Sequence, residues 1–250
     1  MKTFAAIAVA FTLCVAAPPA LAHGTTTAWY GGQIAEIAEG WRIEFAVRDG
    51  AIRAWVRDHD EKAVAATGKV TLLVGGKKID AAFKADGDSL VAEAAVKSAD
   101  KVAAILALTI GGKTVSARFS QEAVVVPKLS AQALAGKQVF DEICAICHGT
   151  ALRGSDTAPP LLHPFYTPGS GHGDDVVLAA ATKGAQSHMW KFGDMPKPEG
   201  LKPGQEKDIL VYIRAMQAAN GLTGTSSAPA AATAEHGGMP MDHSGHMSHH

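Results

Sequence analysis

The sequence predicts two folded domains of different class, an all-β sandwich followed by a small all-α domain. Short apolar strands separated by glycine turns fill the first half of the chain, and apolar residues at helical spacing follow. The last residues are rich in Ser, Ala, Gly, His and Met, which cannot build a core and predict disorder. The predicted boundaries are a leader over 1–22, the sandwich over 23–122, a linker over 123–129, the helical domain over 130–222 and the tail over 223–250.

Composition and the first residues narrow the classes of function and location. The formal net charge is -1, so no broad basic surface indicates a nucleic-acid partner. Lys2, the apolar run over 4–15 and Ala20-Leu21-Ala22 have the order of a secretory signal peptide. That run is too short for a membrane-spanning helix, which needs about 20 apolar residues, and no later segment is predicted to span. The sequence therefore predicts an exported protein, periplasmic or secreted.

The segment 23–122 has the turn and strand pattern of antiparallel β-structure. Large apolar and polar residues alternate along 41–48 and again along 52–56, and Asp49-Gly50 between them supplies the positive φ angles of a tight turn. Further strands are predicted over 70–74, 79–84, 89–96, 102–110 and 114–119. Short strands at this spacing predict a β-sandwich, and the alanine-rich stretch 91–106 is also compatible with helix.

The segment 130–222 changes to helical periodicity. The first helix follows Ser130, a predicted N-cap, and its apolar face consists of Leu129, Ala133, Gly136, Phe140 and Ile143. A second helix is predicted from about Asp174 to Lys183, and a third from about Pro203 to Ala219. The apolar stripe of the third helix consists of Ile209, Tyr212, Ile213 and Met216. Two terminal helices therefore enclose a middle that consists mainly of loops.

Cys144-Ala145-Ile146-Cys147-His148 is the motif that indicates a cofactor. Two thiols at this spacing can each add to one haem vinyl group, and the adjacent His148 can present its imidazole to the iron. A thioredoxin-like dithiol would need a βαβ context, and a zinc site would need further thiols. The third cysteine of the chain, Cys14, lies in the predicted leader. The sequence therefore predicts one covalently bound haem c.

Around this motif, residues 129–222 resemble the class I cytochrome c family. Gly136 and Phe140 are similar to the small and aromatic positions of the first helix in that family, and Tyr212 is similar to the aromatic of the last helix. The resemblance implies an all-α cytochrome c domain in which these two helices cross closely, because a glycine at the contact permits a close approach.

The resemblance also assigns a role to the prolines that follow the motif. Pro159-Pro160-Leu161 is similar to the proline loop of the family. This implies that the carbonyl of Pro159 accepts a hydrogen bond from Nδ1 of His148. Such a contact fixes the imidazole ring and raises its basicity as an iron ligand.

The second axial ligand is predicted to be Met195. The candidates are Met189, Met195, Met216, His163, His172 and His188. Met195 precedes a proline in a loop before the last helix, where the thioether can reach the iron, whereas Met216 belongs to the apolar stripe. The stretch 188–196 resembles a subset of cytochromes c that carry a Trp-x-Phe-Gly-x-Met-Pro segment, which implies that its final methionine is the ligand. His188 is the main alternative.

Trp190 in the same stretch has two interpretations, ordinary packing or an N–H bond to a haem propionate. With His148 and Met195 both on the iron, the predicted function is one-electron transfer between redox partner proteins rather than catalysis. No part of the sequence resembles a catalytic base, nucleophile or oxyanion arrangement. Three alternatives stay open: an electron-transfer subunit of an oxidoreductase complex, a metal-binding protein with a redox-sensing haem, and a five-coordinate haem that binds gas.

The two ends of the mature chain carry further candidate metal ligands. Imidazole suits Cu(II) and thioether suits Cu(I), and the tail resembles Met/His-rich segments of periplasmic copper-handling proteins. The candidate copper ligands there are His236, Met239, Met241, His243, His246, Met247, His249 and His250. A tail without bound metal is the alternative.

A second candidate copper site pairs His23, the predicted mature N-terminus, with His59. The α-amine and imidazole of His23 could bind together, but Asp58-His59-Asp60 also has the composition of an ordinary exposed turn. The sandwich is similar to small exported domains found beside heavy-metal efflux components, which implies a link to copper or heavy-metal handling.

Overall fold

The computed structural model describes residues 27–37 and 40–224. The predicted leader, His23 and the candidate copper ligands of the tail lie outside these residues. Within them, strands fill the first part of the chain and helices the second, so the predicted order of an all-β domain and an all-α domain is confirmed. None of the helices in the described ranges is long and apolar enough to cross a membrane.

The strands form two antiparallel sheets. Five strands pair in the order β1-β2-β3-β7-β6 and four pair in the order β5-β4-β8-β9. Their bounds are β1 Gln33–Glu36, β2 Arg42–Arg48, β3 Ala51–Arg57, β4 Ala66–Val74, β5 Lys77–Ala82, β6 Lys84–Asp86, β7 Ser89–Glu93, β8 Val102–Ile110 and β9 Lys113–Gln121. The alanine-rich stretch 91–106 is therefore strand and turn, with no helix. The sequence pattern did not predict β1, the first half of β4 or, beyond Lys84, β6.

The core of this part lies between the two sheets. Phe45 of β2 stacks on Phe119 of β9 with ring centroids 4.6 Å apart, so the sheets face each other as a sandwich. Alternate residues of β8, from Val102 to Ile110, are buried in the same core. Because successive strand residues point to opposite faces, each sheet presents one apolar face to the other.

The second face of β2 differs from what its alternating sequence predicts. Polar residues in such a pattern normally face solvent, yet Glu44 and Arg48 are buried, as is Ala46 between them. The chain covers this face with residues 27–32, called the strap below. The strap and the loops of the second domain together exclude water from a surface that carries charged side chains.

The helical part begins with one nearly continuous helical segment. Helix α1, Ala131–Val139, continues as a π-helix over Phe140–Cys144 and then as the single turn α2 over Ala145–His148. Ser130 is the predicted N-cap: its hydroxyl accepts a hydrogen bond from the N–H of Ala133 at 3.2 Å. Helix α3 spans Asp174–Lys183 and α4 spans Gln205–Ala219, and a short 3₁₀ turn occupies Pro164–Tyr166.

Helices α1 and α4 cross with their backbones in contact. A Cβ on Gly136 of α1 would overlap the carbonyl oxygen of Asp208 of α4, so only glycine permits this approach. Beside the crossing, the rings of Phe140 and Tyr212 lie with centroids 5.5 Å apart, and both side chains are buried. The close crossing that the sequence resemblance implied is therefore present.

Candidate functional site

The two thiols of the Cys-x-x-Cys-His motif lie on one helical turn. Cys144 ends the π-helix and is half-buried, and Cys147 lies one turn later in α2 and is exposed. Burial, with a smaller contribution from Cys147, raises the pKa of the Cys144 thiol to about 11. Ile146 between them is 84% exposed. The turn therefore presents both sulfurs close together at the end of a helix, as attachment to one group requires.

His148 is held in one orientation at the end of this turn. Its ring is buried, and Nδ1 lies 2.9 Å from the carbonyl oxygen of Pro159. Burial lowers the pKa of His148, which favours the neutral imidazole that can bind a metal. Among the described residues, Nε2 has no hydrogen-bond partner. The donor set of two thiols and a fixed neutral imidazole thus fits a covalently attached haem.

Backbone hydrogen bonds fold the proline loop onto this turn. The N–H of Gly154 donates to the carbonyl of His148 at 2.9 Å, and the N–H groups of Leu161 and Leu162 both donate to the carbonyl of Leu152 at 2.8 and 2.9 Å. A Cβ on Gly154 would lie 2.7 Å from the nitrogen of Pro160, so the loop is packed backbone against backbone. These contacts hold the Pro159 carbonyl against His148.

Met195 lies in a loop that is tied back to the end of α3. Its N–H donates to the carbonyl of Ala185 at 2.8 Å, and the N–H of Ala185 donates to the carbonyl of Met195 at 3.0 Å. The side chain is half-buried. Met216, by contrast, is 1% exposed in the core beside Tyr212, where the sequence prediction placed it. Met195 is thus held by its backbone, and its half-buried side chain lies outside the core cluster that contains Met216.

The histidine alternatives have other partners. His163 is largely buried, which lowers its pKa to about 4, and its Nδ1 accepts the N–H of Phe165 at 3.2 Å. His172 and His188 approach each other, with their Nε2 atoms 2.9 Å apart, and the ring of His172 stacks on Phe165 at 3.8 Å. One of the two Nε2 atoms must donate to the other, whereas the buried Nδ1 of His172 has no hydrogen-bond partner among the described residues.

Trp190 is buried beside these rings. Its Nε1–H donates to the hydroxyl of Tyr166 at 2.8 Å, and its ring meets His163 edge to face with centroids 5.1 Å apart. The N–H is thus bonded within the protein, and the bond to a haem propionate stays a prediction. Burial raises the pKa of Tyr166 to about 12, so this hydroxyl stays protonated as part of the network.

Comparison with known families bears on the helical part of the chain. Residues 133–217 match the family model for cytochrome c. These residues form a cytochrome c domain. The presence of this domain indicates a protein that binds haem and exchanges electrons with redox partners. No curated protein matches the chain.

The cytochrome c domain also contacts residues of the sandwich that the sequence did not single out. Asp156, beside the proline loop, pairs with Arg48 at 3.3 Å and with Arg53 at 2.9 Å. Burial raises the pKa of Glu44 on the same face, and N–H donors from the strap and Arg57 oppose that shift. The one feature of the sequence that could have indicated this contact is the row of charged residues along two adjacent strands of an otherwise apolar hairpin.

Of the second candidate copper site, the structure describes only His59. His59 is 80% exposed and lies 3.3 Å from its neighbour Asp60. Within the described ranges, no group of three or more His, Cys, Asp or Glu side chains could hold a metal ion. The proposed partner of His59, His23, lies outside those ranges, as do the tail ligands.

Proposed function

We propose that the chain is an exported monohaem c-type cytochrome that transfers one electron at a time. Cys144 and Cys147 anchor the haem, and His148 and Met195 are its axial ligands. When bound, haem c supplies an iron that cycles between two oxidation states. The observation that carries the proposal is the buried imidazole of His148, bonded through Nδ1 to Pro159 at 2.9 Å beside two thiols.

Each protein group has a defined task in this proposal. The Pro159 carbonyl fixes the His148 ring and increases the electron density at Nε2, which strengthens it as a ligand. The Ala185 bridge fixes the backbone of Met195 at distances of 2.8 and 3.0 Å. A His/Met ligand pair raises the reduction potential and leaves no open position for a substrate, which favours electron transfer over catalysis.

Several apolar side chains in the loops beside the proposed ligands are buried. Trp190, Leu161 and Leu162 are each less than 10% exposed. A site whose ligands are held by backbone hydrogen bonds changes little in structure when the charge of the iron changes, as an electron carrier requires. Hydrophobic burial also tunes the reduction potential.

Export and a link to copper complete the proposal. The first 22 residues have the order of a signal peptide, and haem c attachment suits an exported protein. The tail carries five histidines and three methionines, whose imidazole and thioether groups suit the two oxidation states of copper. Electron transfer close to such a tail would connect the haem to metal handling outside the cytoplasm.

Visible spectroscopy of the purified holoprotein in both oxidation states tests the haem assignment. We expect one thioether-linked haem and a sulfur-to-iron charge-transfer band in the oxidised form. Met195→Ala should remove that band and lower the reduction potential, because the thioether ligand is lost. Met189→Ala is the matched control and should retain both.

Three results would contradict the proposal. A colourless protein with both thiols free, made in a host competent for cytochrome maturation, would exclude covalent haem. Loss of the band in Met189→Ala instead of Met195→Ala would reassign the ligand. Rapid, complete binding of carbon monoxide by the ferrous protein at neutral pH would indicate an open site and a gas-binding function.

Copper titration tests the tail. The wild-type protein is compared with a variant that lacks residues 223–250, and the number of Cu(II) and Cu(I) ions bound per chain is measured. We expect the variant to bind fewer ions of both kinds, because imidazole and thioether ligands are both removed. An unchanged stoichiometry would remove the tail from the proposed function.

A further inference from the structure

The strap is fixed to the sandwich by a buried carboxylate. Glu44 of β2 is 0% exposed, and its two oxygens accept the N–H groups of Trp29 at 2.8 Å, Tyr30 at 2.7 Å and Gly32 at 2.9 Å. Hydrogen bonds to a charged acceptor are the stronger class, and three of them converge here. The backbone of the strap is therefore set by one side chain of the sandwich.

Side-chain contacts hold the strap at the same place. The guanidinium of Arg57 lies 3.4 Å from Glu44 and 4.0 Å from the ring centroid of Trp29. The ring of Tyr30 stacks on Trp55 of β3 with centroids 4.3 Å apart. Cation–π and stacked aromatic contacts both fix the ring planes as well as the positions.

On its other side, the strap touches the proline loop. A Cβ on Gly31 would overlap Cδ of Pro160, and Gly31 has a φ of +68°, which L-residues rarely adopt. Pro160 directly follows the residue whose carbonyl holds His148. Arg48 adds a second tie, since it donates to the carbonyl of Tyr30 at 2.9 Å and pairs with Asp156 at 3.3 Å.

The strap also touches the loop that carries Met195. The N–H of Lys191 donates to the carbonyl of Trp29 at 2.9 Å, and the ammonium of Lys191 lies 4.9 Å from the Trp29 ring centroid. Phe192 meets the ring of Tyr30 at an interplanar angle of 84° with centroids 5.8 Å apart. One short segment of the sandwich therefore contacts the supports of both proposed axial ligands.

We infer that the strap, anchored by Glu44, is a positioning element for the haem ligands and holds the Met195 loop in its closed, iron-binding position. This inference rests on the proposed function. Opening of the Met195 loop that carried residues 190–192 away would break the Trp29–Lys191 hydrogen bond and the Tyr30–Phe192 contact. Contacts made only in the closed position favour that position by their own free energy.

The test uses the full-length holoprotein and free imidazole, which binds the ferric iron only where Met195 has left it. Glu44→Gln removes the negative charge of the carboxylate that accepts the three N–H groups of the strap. We expect the apparent imidazole affinity to rise at least about 5-fold, the lower end of typical coupling between sites. Glu93→Gln is the matched control, because Glu93 lies on the same sheet with its side chain 84% exposed.

A second readout follows the strap without the haem spectrum. Hydrogen exchange of the Lys191 amide should accelerate in Glu44→Gln, because its acceptor on Trp29 is no longer held. Faster exchange with an unchanged imidazole affinity would overturn the inference, since the strap would then join the domains without acting on the ligand. Slow exchange in a folded Glu44→Gln protein would equally overturn it.

Gly31→Ala decides the question if Glu44→Gln does not fold. The added methyl group pushes the strap away from Pro160, and we expect the same rise in imidazole affinity. Gly75→Ala is the control, because Gly75 also has a positive φ, +55°, but no atom lies within 4 Å of its added Cβ. An effect of both substitutions alike would show general strain and refute a role of the strap.

Failure of this inference differs from failure of the proposed function. Absence of the sulfur-to-iron band from the wild-type protein would remove Met195 as the ligand and leave nothing for the strap to position. Presence of the band in the wild type, with no change of imidazole affinity in either strap variant, would leave the electron carrier intact and remove only the strap.

Discussion

The β-sandwich and the cytochrome c domain are stabilised in different ways. Among the described residues, the sandwich has twenty buried core residues, which come from both of its sheets and face one another. The cytochrome c domain has ten, and among the described residues none of these lies in 163–204, the stretch between the proline loop and α4. That stretch packs only partly buried apolar side chains against the core, those of Tyr166, Val177 and Leu201, and adds hydrogen bonds and ring contacts. The sandwich can close its core with its own side chains, and we expect the cytochrome c domain to depend on its haem.

Removal of the haem anchors should separate the two domains most clearly. In Cys144→Ser/Cys147→Ser, we expect complete loss of covalent haem and loss of hydrogen-exchange protection throughout α1 and α4. The amides of β8 should stay protected, because the sandwich core does not include the cofactor. Exchange measured by mass spectrometry follows both domains in one sample.

Ile146→Ser is the control for that variant, since it changes an exposed residue of the same turn and should keep the haem. Full covalent retention in Cys147→Ser alone would refute the anchor assignment. Equal loss of protection in β8 and α4 would show that the two domains unfold together. The sandwich would then depend on the haem as much as the cytochrome c domain does.

Truncation of one buried ring in each domain measures the two cores. Phe45→Ala and Phe140→Ala should each lower the free energy of unfolding of their own domain by about 3–5 kcal/mol, through lost burial and a cavity. Denaturant unfolding followed by exchange in β8 and α4 assigns each loss to a domain. Leu134→Ala is the control because Leu134 is 55% exposed on α1. A loss below about 1 kcal/mol for Phe140→Ala would place that ring at the surface.

Acid should affect the cytochrome c domain through His163. Burial lowers the pKa of His163 to about 4. Between pH 6.5, the usual pKa, and about pH 4, this histidine is therefore protonated in the unfolded chain and neutral in the native protein. As the pH is lowered from 6.5 to about 4, the free energy of unfolding should therefore decrease by about 3 kcal/mol in total. Above pH 6.5, His163 makes no such contribution, because it is neutral in both states.

His163→Gln should flatten that part of the pH dependence, measured as denaturant unfolding at pH 7 and pH 4. His59→Gln, which changes an exposed imidazole of the sandwich, should leave the pH dependence as in the wild type. An identical pH dependence in His163→Gln and wild type would mean that His163 is solvated in the native protein.

The smallest effect is expected at the start of α1. Ser130→Ala removes the hydroxyl that accepts the Ala133 N–H and should cost the cytochrome c domain about 1 kcal/mol, the usual value of an N-cap. Ser116→Ala, at an exposed position of β9, should change the stability of the sandwich by less than about 0.5 kcal/mol. Equal losses of stability in the two variants would show that the Ser130 hydroxyl does not stabilise the helix as an N-cap.

Sequence patterns predicted the elements whose signals are local. Helix α3 was predicted over the residues that form it, and β8 was predicted from 102 to 110. Both predictions depend only on the periodicity and the turn residues of the segment itself. The crossing of α1 and α4 and the close approach of Pro159 to His148 came from the resemblance to a family. Periodicity alone could not have supplied either contact.

The contacts between the domains could not be predicted in this way. The alternating pattern of β2 is the same whether its second face meets water or protein, so nothing in it distinguishes the buried Glu44 from an exposed one. One partner of that face, Asp156, is 108 residues away from Arg48 in the sequence, and the strap, although nearer, has no local pattern that places it there. The π-helix at Phe140–Cys144 likewise arises from the environment of the turn rather than from a local signal.

The strap also has a consequence for the order in which the chain reaches its final structure. Its anchors Glu44 and Arg57 follow it closely in the sequence, whereas Pro160 and Lys191 are synthesised much later. Because chains emerge N-terminus first and domains generally fold as units, the sandwich can be complete while Cys147 is still in an extended chain. The later half would then assemble against a surface that already exists, so the N-terminal domain would serve as a template during maturation.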